Sequence, residues 1–121
     1  MNTNNTYLAV FCGSKTGARR AAWDALPESD RRAREREGIA AWKAWVERQQ
    51  NAIVTLGGPL GKTKKVAQPG IEDTSNNMGA FTVVRAESHE AAAKLFEGHP
   101  HFTIFPGDSI EIMPVLPIPT A

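Results

Sequence analysis

The sequence predicts an α+β chain, a ferredoxin-like sandwich whose four-stranded antiparallel sheet carries helices on one face. Three observations predict it. Four apolar runs of strand length alternate with helical patterns in the order β-α(α)-β-β-α-β, which is two βαβ halves. The helical patterns stop at proline or glycine rather than fading out. The length of 121 residues, 41% hydrophobic and 22% charged, suits one domain that buries about two thirds of its unfolded surface.

The leader MNTNNT, residues 1–6, is polar and expected to fray. YLAVFC (7–12) is a continuous apolar run closed by Gly13-Ser14, the first strand. Thr16 is placed to cap a short helix over 18–26, stopped at Pro27. A longer helix opens at Ser29 with DRRARERE, whose charges cancel and pair four residues apart, a solvated face rather than a binding strip. It then turns amphipathic through Ile39, Trp42, Val46 and Ile53, with Trp45 beside them. Gly38, which costs about 1 kcal/mol against alanine in a helix, is read as a bend. AIVTL (52–56) is the second strand. Residues 66–77, rich in Pro, Gly, Asn and charge, read as an irregular loop whose composition suits a mobile lid. GAFTVVRA (79–86) is the third strand, and Ser88 is a good cap for EAAAKLFE, a helix stopped by Gly98 and Pro100. SIEIMPVL (109–116) is the fourth strand, broken by Pro114 and followed by a Pro-rich tail, 117–121.

Alternation along the strands sets apolar residues on both faces: Tyr7, Ala9 and Phe11 against Leu8, Val10 and Cys12, and Phe81 and Val83 against Ala80, Thr82 and Val84. Helices cover one face only, so a second copy of the sheet is the expected cover and a homodimer the expected state, unless residues 66–77 or the tail do that work. A net charge of +1 gives no footprint for nucleic acid or an anionic membrane surface, and no apolar run has membrane-spanning length. One cysteine, Cys12, forbids an internal disulfide and suits a reducing cytoplasm; it reads as a small buried hydrophobe rather than a nucleophile.

GGPLGKTKK (57–65) imitates a phosphate-binding loop but is one spacer short, and no helix follows to aim its positive end at an anion. It is a turn, with Gly57 and Gly58 present for close backbone approach or positive φ. Lys62 remains a candidate ligand contact. The stretch EGHPHFTIFPGDSIE gathers His99, His101 and Asp108, residue types suited to proton transfer because imidazole titrates near neutrality and a carboxylate can orient it. In extended backbone the two histidines would project to one side. A metal would want a third ligand there, which Asp108 or Glu111 could supply only if the loop folds back, so no metal or cofactor is expected; the structural alternative is His99 at a helix C-terminus and His101 as a loop residue. Arg85, which interrupts an apolar strand, reads as an edge residue or an anion clamp, and Trp42 as a core or ligand-facing ring.

Trp42 and Trp45 on one helix, Gly58-Pro59-Leu60, GAFTVVRA, SHEAAAKLF and the junction His99-Pro100-His101-Phe102 together resemble the YCII-related domain family, over about residues 7–116. The resemblance implies a dimeric α+β barrel and a small intracellular protein. It also implies a fold able to house lyase-type acid–base chemistry, dehydrochlorination of a chlorinated hydroxyquinol included. Typical members carry a helix histidine and an acid after the Gly-Pro turn, positions that fall here at or beside Ala41 and near Lys64. That pair is therefore missing, and His99, His101 and Asp108 are the leading substitutes. The function expected is His-based acid–base catalysis, of lyase or isomerase type, on a small cyclic or aromatic metabolite. The alternative is a non-catalytic ligand-binding or structural subunit.

Overall fold

The structure, a computed structural model, describes residues 5–120. Ten elements follow in chain order: β1 Thr6–Cys12, α1 Ala18–Asp24, α2 Glu28–Arg48, β2 Ile53–Pro59, β3 Thr63–Ala67, β4 Gly70–Thr74, β5 Met78–Arg85, α3 His89–Lys94, α4 Pro100–Thr103 and β6 Ser109–Pro114. The main sheet has the order β2-β5-β1-β6, and every neighbouring pair in it is antiparallel. This is the ferredoxin-like order, with both βαβ crossovers placing their helices on one face.

The core lies between that face and the helices. Tyr7, Ala9 and Phe11 of β1 and Val84 of β5 meet Trp45 of α2, and Ala92 and Phe96 from the α3 region. Trp45 is only 2% exposed, and its indole N–H donates to the Leu95 carbonyl at 2.8 Å, so the largest core side chain leaves no polar group unmet. Ser88 caps α3 as its sequence suggests, its hydroxyl accepting from the Ala91 amide at 3.0 Å. Gly98 follows with φ 69°, the left-handed turn that ends the helical run.

Several expectations are corrected. Most of the leader 1–6 lies outside the described residues, as does residue 121 of the tail. Asn5 and Thr6 are tied down, their carbonyls accepting from Ala86 at 3.1 Å and Val115 at 2.8 Å. Thr16 does not cap α1; Gly17 stands at that position without a side-chain bond, and the Thr16 amide turns to the Ser14 hydroxyl at 3.3 Å. Residues 66–77 are no irregular lid. Most of them belong to a second, two-stranded sheet, β3–β4, in register from Thr63↔Thr74 to Ala67↔Gly70. Lys64 faces Asp73 and Lys65 faces Glu72 across it, each at 2.6 Å, exposed pairs worth at most about 1 kcal/mol apiece. Gly38 lies inside the continuous helix α2, and the structure gives it a packing reason. The Phe105 ring lies so close that a Cβ there would stand 2.4 Å from it, so the helix has a glycine where an aromatic ring is seated.

Strand β2 departs from regular pairing twice, between Ile53 and Thr55 and between Thr55 and Gly58. Gly57 has φ 70°, and a Cβ on it would stand 2.1 Å from the Phe81 carbonyl oxygen, so no other residue fits. The buried Thr82 hydroxyl donates to the Leu56 carbonyl at 2.8 Å, which holds the bulged edge to the sheet.

Candidate functional site

Between the bulged β2 edge and α2 lies a cavity of about 700 Å³, within the usual range for small-molecule pockets. Phe11, Trp42, Val46, Leu56 and Phe105 make its walls apolar and largely aromatic, and His101 is the imidazole among them. Lys43 and Glu47, exposed one turn apart on α2, supply charge at its lining.

The two histidines reach their places through α4, a helix the sequence reading did not separate from the loop. His99 is its N-cap and Pro100 its first residue, the pairing of polar cap and proline that opens helices. The backbone is therefore helical after His99 rather than extended, and the side chains do not project together. His99 is fully buried, ringed by Trp42, Trp45, Phe11 and Phe96 at centroid distances of 4.5, 4.7, 5.1 and 6.1 Å. Its Nδ1 accepts from the His101 amide at 3.0 Å, so the neutral ring carries its proton on Nε2, which has no hydrogen-bond partner. Burial, with His101 and Arg48 adding to it, pushes the His99 pKa down to about 3.

His101 takes the opposite role. Its ring packs against Gly107, where a Cβ would stand 2.2 Å from Cε1 and Nε2. Only glycine lets Nε2 reach the Cys12 carbonyl, at 2.9 Å. A carbonyl only accepts, so Nε2 bears the proton and Nδ1 is the nitrogen with a lone pair to offer. Burial lowers the His101 pKa; bonds to the Cys12 and Ser109 backbone and the Asp108 charge oppose that, and Arg19 adds to it. The imidazole is neutral at physiological pH, the state of a base.

The other expected site residues lie apart. Asp108 accepts from the Ser14 amide at 2.7 Å, fastening the β1–α1 loop, and influences His101 only through its field. Trp42 lines the cavity. Lys62 lines a separate polar cleft of about 730 Å³ beside the β3–β4 hairpin. Arg85 is at the end of β5, an inner strand and not an edge; by register it shares the face of Thr6 and Leu8, away from the cavity. Cys12 is half-buried, and burial, then Glu111 and Asp108, push its thiol up, the reverse of nucleophilic activation. No group of three His, Cys, Asp or Glu side chains comes together among the described residues. Sequence reasoning missed Phe105 as a wall; the unexplained glycine at position 38 was its only trace.

Fold and site together define a ferredoxin-like α+β protein with an aromatic-walled cavity served by a neutral histidine. No protein-family model matches the chain, and neither does any curated protein. Among solved structures it is similar to the 5-chloro-2-hydroxyhydroquinone dehydrochlorinase of Burkholderia phenoliruptrix in complex with 2,5-dihydroxybenzoquinone. The TM-score is 0.48 and the sequence identity 18%, over 89% of this chain and 90% of that one. The fold assignment rests on the chain's own strand order. No helix among the described residues is long and apolar enough to cross a membrane.

The depressed His99 pKa has a consequence for stability. Between about 3 and the ordinary 6.5, the unfolded chain holds a proton that the fold excludes. Stability is therefore complete above pH 6.5 and falls as the pH drops toward 3, by up to about 1.4 kcal/mol per pH unit from this residue. Urea unfolding between pH 7 and pH 5 is expected to show that slope in the parent. It should be shallower in His99→Asn, which keeps a capping acceptor. Equal slopes would contradict the assignment.

Proposed function

We propose that the protein binds a small cyclic or aromatic metabolite in the cavity beside α2, and that His101 removes a proton from it. The observation that carries this is the placement of one neutral imidazole, its Nε2 tied to Cys12, among the apolar walls of a cavity of small-molecule size. An aromatic-lined space selects a flat apolar body, and Nδ1 of His101 is the acceptor for a hydroxyl or an activated C–H. In a lyase step the C–H pair becomes a double bond as Nδ1 takes the proton and the adjacent carbon–leaving-group bond breaks, its pair going with the leaving group, which the imidazolium then protonates. In an isomerase step the C–H pair forms the double bond as the π pair of an adjacent carbonyl moves onto its oxygen. The imidazolium then returns the proton to the former carbonyl carbon, the enediol's other hydroxyl becoming the new carbonyl as it gives up its proton. The Cys12 carbonyl bond and the Asp108 charge, which oppose the lowering of the His101 pKa by burial, stabilise that imidazolium.

A second reading, binding without catalysis, is favoured by one observation: Asp108 sits on Ser14 and His99 is sealed in the core, so neither joins His101 as a second acid or base. His101→Gln separates the readings. Thermal-shift titration with phenols, quinols and cyclic acids is expected to show binding retained, while turnover of any active member falls by about 10²- to 10⁴-fold. Turnover unaffected by the substitution would sink the proton-transfer role; binding without turnover in the parent would leave the non-catalytic reading.

We further infer that a second copy of the chain covers the sheet face opposite the helices. Register places Leu8, Val10, Phe81, Val83 and Met113 together there, and Met113 is 40% exposed. The sequence alternative, cover by residues 66–77, loses support because those residues pair among themselves with Val66 and Ile71 exposed. Sedimentation should give a dimer for the parent and a shift to monomer for Val83→Lys. A monomeric parent at high concentration would refute the interface.

A further inference from the structure

Phe105 lies on the short segment between α4 and β6, and it is the one residue shared by the linings of two cavities. One is the ligand cavity of about 700 Å³; the other, about 280 Å³, lies under α1 against Ala22, Trp23, Leu26 and Arg34. Its ring stands between Trp23 at 5.8 Å and Trp42 at 6.1 Å, with an edge seated on Gly38. The backbone around it is pinned. Arg19 donates to the Gly107 carbonyl at 2.8 Å and to the Phe102 carbonyl, Arg34 donates to the Ile104 carbonyl at 3.3 Å, and the Phe105 amide donates to Pro100 at 2.9 Å. With the loop held on both sides, the ring is the side chain common to both linings, backed by Gly38 of α2.

We propose that Phe105 is a specificity-determining residue that sets the depth of the ligand cavity. It closes the ligand cavity on the side of α1, and the groove beside α1 is the continuation that a ligand's alkyl chain would occupy. This rests on the ligand-binding reading of the cavity. The glycine at 38 follows from the same device: a methyl group there would meet the ring at 2.4 Å and force the partition to move. Ala22, Trp23 and Leu26 give the second cavity apolar walls suited to methylenes, and Arg19 and Arg34 stand at its lining.

The test uses phenol and its 4-alkyl derivatives from methyl to octyl, with affinity read by tryptophan fluorescence on the intact chain. For the parent, affinity is expected to rise over the first members and to stop rising once the chain meets the Phe105 ring. In Phe105→Ala the rise should continue to longer chains, gaining about fourfold for each methylene newly buried. Ala22→Leu in the Phe105→Ala background refills the second space, and it should cancel the gain for long chains while leaving phenol unaffected. Circular dichroism establishes that each variant is folded; Phe105→Leu, a smaller truncation, serves if Phe105→Ala is not, with a smaller shift in the same direction. Tight phenol binding with the same chain-length profile in parent and variants would overturn the role of Phe105 alone. No binding of any member by the parent would overturn the cavity reading, and this inference with it.

Discussion

The site depends on a buried imidazole that has to stay neutral. His99 is enclosed by four aromatic rings, and a charge there would lie in a medium that cannot solvate it. In the neutral state its Nδ1 is a lone pair, and that lone pair starts α4 by accepting the His101 amide. The same ring thus fills the core and fixes the backbone from which the next histidine departs. The partnerless Nε2–H is the cost of this arrangement, and the surrounding aromatic faces are the available acceptors, weak ones.

From that anchor the cavity is built by two glycines that make room for rings. Gly107 lets His101 pack close and reach Cys12, which decides the tautomer and so decides which nitrogen is a base. Gly38 lets Phe105 close against α2. A third glycine, Gly57, lets the irregular edge strand bring its backbone against the Phe81 carbonyl of β5. In each case the missing Cβ is a steric requirement imposed from another element.

That distinction explains what was legible in the sequence. Features set by neighbours along the chain were readable: the alternation of β1, with Tyr7, Ala9 and Phe11 on one face, the Ser88 cap and the Gly98 stop. The hairpin β3–β4 was readable in principle, since Lys64-Lys65 and Glu72-Asp73 mirror each other around the Pro69-Gly70 turn, but its low hydrophobicity hid it. What could not be read was set by distant contacts. The packing reason for Gly38 shows only once Phe105 is placed on it, and Asp108 looks like a partner for His101 until the Ser14 amide takes it. The His-Pro-His spacing suggested two equivalent side chains, whereas the helix start gives one to the core and one to the cavity.

His99 and His101 are both assigned as neutral Nε2–H tautomers, His99 sealed in the core and His101 lining the cavity with Nδ1 as the proposed acceptor. Long-range nitrogen–proton correlation spectra of the histidine rings, recorded with and without bound phenol, put this to the test. His99 is expected to show the Nε2–H pattern and not to titrate down to pH 5. His101 is expected to show the same pattern and to change at Nδ1 when phenol is added. A His99 ring that titrates near 6.5, or phenol binding that leaves the His101 nitrogens unmoved, would contradict that assignment.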